Sequence, residues 1–498
     1  MRRGDFAVVA AALATLVMVS GCSQPQAAPP AAAAPAAPAK IPVTTASEDA
    51  RKEYLEGRSL VERLLIQDSI AHFDKAIAAD PNFALAELGR ANSSPTGTEF
   101  LDHLKKAVAL ADKASDGERL QILAANAGSS GNAAKQREYL EQLASVYPQD
   151  ERAHFVLGAF LFGQQDPRAA IEHFKKANEL APDYSAPYNQ MGYAYRQIGD
   201  YDNAEKAFQK YIQLIPNDPN PYDSYGELLL KMGRFDDSIV QYRKALAIDP
   251  HFLASHMGIS ADLMYSGKTA EAAAEIKHIA EKARNDGEQR TGMFVMTSLA
   301  VYTGRMDAAL ASLDKQFALG EKSGDTLGMV GDLQARAAVL TEMGKAAEAQ
   351  AALDKALKLA ESSTLPDAIK ANIALFHHSG TARAALARKD VTAAKTEAAE
   401  YSKTALSSGN SFQVKQAHEL AGMIALQEKN WDMTISELEQ ASQQNAYNHY
   451  RMCLAYQGKG DLAKAAEHCG VAAHFNPLPE LNFSFIHAKA AKVATSGS

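Results

Sequence analysis

Four prolines, Pro148, Pro182, Pro216 and Pro250, stand 34 residues apart, and Gly158, Gly192 and Gly226 keep the same interval. So do the rings of Phe174, Phe208 and Tyr242. A fixed period of this length is the mark of a helix–turn–helix unit used repeatedly. Such a unit has an apolar face that it cannot bury alone, so its neighbours must stack on it. Proline ends a helix, and a small residue lets two helices approach closely. The composition agrees with an all-helical chain: 47% of residues are hydrophobic, only 7% are aromatic, and alanine, the best helix former, is abundant.

Across Glu151–Tyr184 the recurring slots hold Leu157, Gly158, Leu161, Ala170, Phe174, Ala177 and Pro182. The next unit holds Tyr188, Met191, Gly192, Tyr195, Ala204, Phe208, Tyr211 and Pro216. The third holds Tyr222, Tyr225, Gly226, Leu229, Ser238, Tyr242, Ala245 and Pro250. This pattern resembles the tetratricopeptide repeat. The resemblance implies an all-α, right-handed superhelical solenoid of about eleven to twelve hairpins, closed by a solvating cap helix over Leu481–Val493. Residues 50–286 read as an N-terminal array, with a degenerate hairpin turning at Asn92–Gly97. Residues 287–445 read as four divergent hairpins divided at Gly304-Arg305, Gly344-Lys345, Lys389-Asp390 and Lys429-Asn430. Residues 446–498 read as a final repeat and the cap.

In proteins of this kind the first helix of each repeat lines a concave face, at repeat positions 2, 5, 9, 12 and 13. The resemblance therefore assigns Arg152, Phe155, Phe162, Asn189, Tyr193, Arg196, Asp223 and Glu227 to a partner-binding strip, with packing into the core as the alternative for Phe155 and Phe162. The partners it implies are other proteins or peptides. The Lys and Asn of the chaperone-type carboxylate clamp are absent. Phe155 and Ala159 take those places in one repeat, and Asp223 and Glu227 in another.

The first residues read as an address. Arg2 and Arg3 precede an apolar run, Phe6–Val19, too short to span a bilayer comfortably and right for the core of a signal peptide. It ends in Val19-Ser20-Gly21-Cys22, which resembles the bacterial lipobox. That resemblance implies removal of residues 1–21, lipid attachment at Cys22, and an outer-membrane location facing the periplasm. Residues 22–49, rich in Ala and Pro, read as a semi-stiff spacer.

No nucleotide, protease or hydrolase motif stands out, so neither enzyme, cofactor nor metal is expected. The net charge of −8, without a basic run, argues against nucleic acid. His377-His378 reads as a solvated or partly packed pair, and the other histidines as scattered. Cys453 and Cys469 fall at positions 8 and 24 of the last repeat. A disulfide there is geometrically marginal, and two small core residues are the other reading. The sequence thus describes a membrane-anchored scaffold of the cell envelope. A structural subunit of an envelope complex, or a hydrolase within residues 290–445, are the alternatives.

Overall fold

The computed structural model describes residues 40–496. They form twelve antiparallel helical hairpins and one closing helix, with no strand among the described residues. Hairpins one to four pair α1 (Glu48–Glu62) with α2 (Ile66–Ala79), α3 (Ala84–Asn92) with α4 (Gly97–Leu110), α5 (Asp116–Ser129) with α6 (Ala133–Val146), and α7 (Glu151–Gly163) with α8 (Pro167–Leu180). Hairpins five to eight pair α9 (Ser185–Gln197) with α10 (Tyr201–Leu214), α11 (Pro219–Lys231) with α12 (Phe235–Ile248), α13 (Leu253–Tyr265) with α14 (Thr269–Lys282), and α15 (Asp286–Tyr302) with α16 (Met306–Ser323). Hairpins nine to twelve pair α17 (Thr326–Glu342) with α18 (Ala346–Glu361), α19 (Asp367–Ala387) with α20 (Val391–Ser408), α21 (Ser411–Gln427) with α22 (Trp431–Gln440), and α23 (Ala446–Lys459) with α24 (Leu462–Ala473). The closing helix is α25 (Leu481–Ser496).

The divergent stretch therefore folds as the four hairpins its dividers predict. In all but one hairpin the chain turns through a left-handed residue: Leu64, Gly131, Gln165, Gly199, Gly233, Gly267, Gly304, Gly344, Lys389, Lys429 and Gly460. In many hairpins the next residue caps the second helix. Asn132, Asp166, Asp200, Asp390, Asn430 and Asp461 each accept a backbone N–H with the side chain. Position 8 then meets position 24. A Cβ on Gly192 would lie 2.5 Å from the Phe208 ring, and one on Gly158 would lie 2.7 Å from Phe174. The glycines are there because the ring occupies the space a side chain would need.

Cys453 and Cys469 hold the same two positions in hairpin twelve, and they are disulfide-bonded with Cα atoms 5.3 Å apart. The bond is not geometrically marginal, because position 24 packs directly against position 8, as Phe174 does against Gly158.

Successive turns of the superhelix touch. Gln164 accepts from the Ser411 amide, and Gln444 donates to the Gln197 carbonyl; both contacts are 247 residues apart. Hairpin four thus meets hairpin eleven, so seven hairpins complete one turn. Helix α25 caps hairpin twelve as expected, with Asn482, Ala488 and Lys489 exposed, but it is not a cap alone: Phe483, Phe485, Ile486 and Ala490 are buried. Phe483 lies edge-on to Tyr265 at 5.1 Å and His487 stacks on Tyr302 at 3.6 Å, so α25 is wedged against hairpins of the preceding turn. The end of the expected spacer, Lys40–Ser47, is not spacer either, since it docks on the array. Cys22, the leader and the rest of the Ala/Pro segment lie outside the described residues.

Candidate ligand-binding groove

The first helices do share one face, but the expected strip along it is bonded to itself. Arg152 Nε donates to Glu62 Oε1 at 2.9 Å, and its guanidinium lies 5.0 Å over the Tyr184 ring. Phe155 meets the same ring edge-on at 5.4 Å, and Phe162 is half-buried in the adjoining cluster. Asn189 is buried. The Tyr193 hydroxyl lies 2.9 Å from Glu227, and Arg196 Nη1 donates to Glu227 at 2.7 Å. Ser255 donates to the buried Asp223 at 2.7 Å, and burial pushes the Asp223 carboxyl up to about 7. The strip is closed because hairpin one reaches over it. Glu62 comes from the end of α1, and the next residue, Arg63, forms a two-bond ion pair with Asp218 at 2.6 Å.

The open part of the groove lies in the second half. A cavity of about 630 Å³ is lined by α17, α19, α21, α23 and α25. At its centre Glu419 Oε1 accepts from Arg383 Nη1 at 3.0 Å and from Arg451 Nη1 at 2.8 Å. Burial alone would raise the Glu419 pKa, but the two guanidiniums outweigh it and hold the carboxyl at about 2. Arg451 lies 4.0 Å over the Tyr447 ring, and the Tyr447 hydroxyl donates to Glu342 at 2.5 Å. The charged side chains of the lining are thus two guanidiniums, Arg383 and Arg451, and two carboxylates, Glu342 and Glu419. Arg383 lines the cavity, and its Nη1 also lies 3.6 Å from the Met423 sulfur. Phe376, Leu353, Met423, Leu426 and Phe485 make the apolar wall, and Phe412 at the rim is 47% exposed.

An apolar wall beside a few convergent polar groups is the general make-up of a ligand pocket. Among the described residues there is no group of three or more His, Cys, Asp or Glu side chains suited to a metal, and no helix long and apolar enough to cross a membrane.

The lining residues were within reach of the sequence. The left-handed turn residue is position 15 of its repeat, so counting back from Gly344, Lys389, Lys429 and Gly460 starts the repeats at Val330, Leu375, Lys415 and Ala446. Of the sixteen residues at positions 2, 5, 9 and 12, thirteen line the cavity, Arg383, Glu419 and Tyr447 among them, and Gly331, Leu386 and Gln457 do not.

Eight of the fourteen histidines are not scattered. His72 faces Glu53, His378 faces Glu397 and His418 faces Glu437, at 2.7, 2.7 and 2.8 Å, each pair 19 residues apart. His256 faces Glu275 at the same separation. In two hairpins both places are histidine, His154 with His173 and His449 with His468, the rings stacked. These pairs tie position 4 of the first helix to position 23 of the second.

Models of the tetratricopeptide repeat match residues 123–185, 185–218 and 220–252. The chain carries tetratricopeptide repeats. No curated protein matches the sequence. Among solved structures, a crystal structure of MamA protein is similar at 23% identity with a TM-score of 0.29, covering 34% of this chain and 91% of that one. MamA from Desulfovibrio magneticus RS-1 is similar at 18% identity with a TM-score of 0.30, covering 34% and 95%. The repeats make the chain a scaffold for protein–protein interaction.

Proposed function

We propose that this scaffold is lipid-anchored through Cys22 in the bacterial cell envelope, on the periplasmic side of the outer membrane, and holds partner proteins in the cavity of α17, α19, α21, α23 and α25. The cavity carries this reading. It is a stretch of concave face where the Arg383 guanidinium and the aromatic side chains of Phe376, Phe412 and Tyr447 line one open space. The lipobox-like Val19–Cys22 supports the anchor. Affinity capture of the full chain from its native envelope, read by mass spectrometry, tests the grip. Arg383→Glu and Phe376→Ala should each deplete the captured partners roughly tenfold, the effect of losing about 1.4 kcal/mol. Capture indifferent to both substitutions would place the partner elsewhere. Cys22→Ala should move the protein from the membrane to the soluble fraction, and continued membrane attachment would refute the anchor.

A further inference from the structure

The segment ahead of α1 is seated on the array as an extended peptide. Ile41, Val43 and Thr45 are half-buried, while Pro42, Thr44 and Ala46 are exposed, the period of two of an extended strand. It runs backward across the starts of the first helices, from α7 towards α1. The Ile41 amide donates to Asp150 Oδ2 at 2.8 Å and the Thr44 amide to Glu118 Oε1 at 2.7 Å. The Thr45 hydroxyl donates to Asp80 at 2.6 Å, and Lys40 pairs with Glu151. Each inward side chain meets the core, Ile41 against Gly117 and Tyr147, Val43 against the cluster around Tyr54. Pro42, which has no N–H, sits where none is needed. Four carboxylates, from hairpins three and four and the turn after α2, thus receive a cation, two backbone amides and a hydroxyl.

The fit is incomplete. A cavity of about 300 Å³ remains beside the segment, with Ile41, Val43, Tyr54 and Leu85 as its apolar wall and Arg58 and Arg152 among the charged groups that complete it. Side chains larger than Ile41 and Val43 would gain burial there. We propose that residues 40–45 are a resident self-ligand on a second peptide site, separate from the cavity of the second half. The partner it fits is an extended segment that leads with a cation and carries bulky apolar residues at alternate positions, and such a segment binds by displacing residues 40–45. The self-ligand is covalently linked and therefore competes at a high effective concentration, so it sets a threshold that only a better-fitting segment crosses.

A labelled synthetic peptide of residues 38–47, and the same peptide with Phe in place of Val43, would be titrated into the full chain by fluorescence anisotropy. Binding should be at least about tenfold tighter to an Ile41→Asp/Val43→Asp chain than to the unaltered one, because the competitor is released. The Phe peptide should bind tighter than its parent, and adding Glu118→Gln with Asp150→Asn should weaken both. Equal affinity for the released and unaltered chains, or indifference to the two carboxylate substitutions, overturns the proposal. Hydrogen exchange on the unaltered chain gives a readout that needs no variant. The Ile41 and Thr44 amides should be protected, and should lose that protection under an excess of the Phe peptide. Protection that persists while the peptide is bound, or that is absent from the start, also overturns it.

Discussion

At the scale of single residues, the array tolerates local costs wherever the repeat geometry fixes a position. Leu64, Gln165, Lys389 and Lys429 take the left-handed turn that glycine takes elsewhere, a strain of about 1–2 kcal/mol each for a side chain with a Cβ. Leu64 is 44% exposed, so Leu64→Gly should raise the melting temperature by relieving strain with little packing lost; a lower value would mean that its contacts outweigh the strain. Asp262 is a larger cost. It is fully buried, and burial pushes its carboxyl up to about 8. The folded pKa lies above the unfolded value near 4, so the stability of the protonated form is whole below about pH 4 and lost as pH climbs through 8. Asp262→Asn keeps the shape without the charge. Its stability advantage over the parent should widen by a few degrees between pH 6 and pH 9 in thermal melts, and parallel curves would contradict this. The histidine pairs show what a single sequence conceals. A spacing of 19 has meaning only once position 4 is known to face position 23.

At the scale of the hairpin, one rule repeats: a small residue at position 8, a large one at position 24, a left-handed turn at position 15 and a cap after it. The last hairpin replaces the small–large pair with a covalent bond between Cys453 and Cys469. Closing a loop of this length contributes about 3 kcal/mol in the chain-entropy account. The double substitution to alanine, or reduction by dithiothreitol, should therefore lower the unfolding temperature of hairpin twelve, visible as earlier exchange of α23 and α24 amides. No change on reduction would show that packing alone holds the hairpin. The same rule made the divergent hairpins legible. Their dividers also carry the register, since each left-handed residue is position 15 of its repeat.

At the scale of the whole molecule, the superhelix is wound tightly enough for one turn to rest on the next. Lys231 donates to the Phe475 carbonyl at 2.6 Å and Tyr265 to the Pro477 carbonyl at 2.8 Å, both across more than 200 residues of sequence. Burial draws the Lys231 ammonium down and the Glu480 carboxyl up, each to about 7, so this seam is costly to charge. Phe483 anchors it. Phe483→Ala should cost about 3–5 kcal/mol locally and release α25 to proteases before the array unfolds; protection equal to the parent's would show that the seam does not need it. The sequence by itself determined the helices, the hairpin boundaries and the family of repeat, because these depend on contacts within about 34 residues and recur in every copy. It did not determine which part of the concave face stays open. That was decided by the winding of the superhelix, which lays Glu62 over Arg152, seats residues 40–45 in the first groove and brings α25 to the edge of the second. Those contacts join residues too far apart in the chain for any period to announce them.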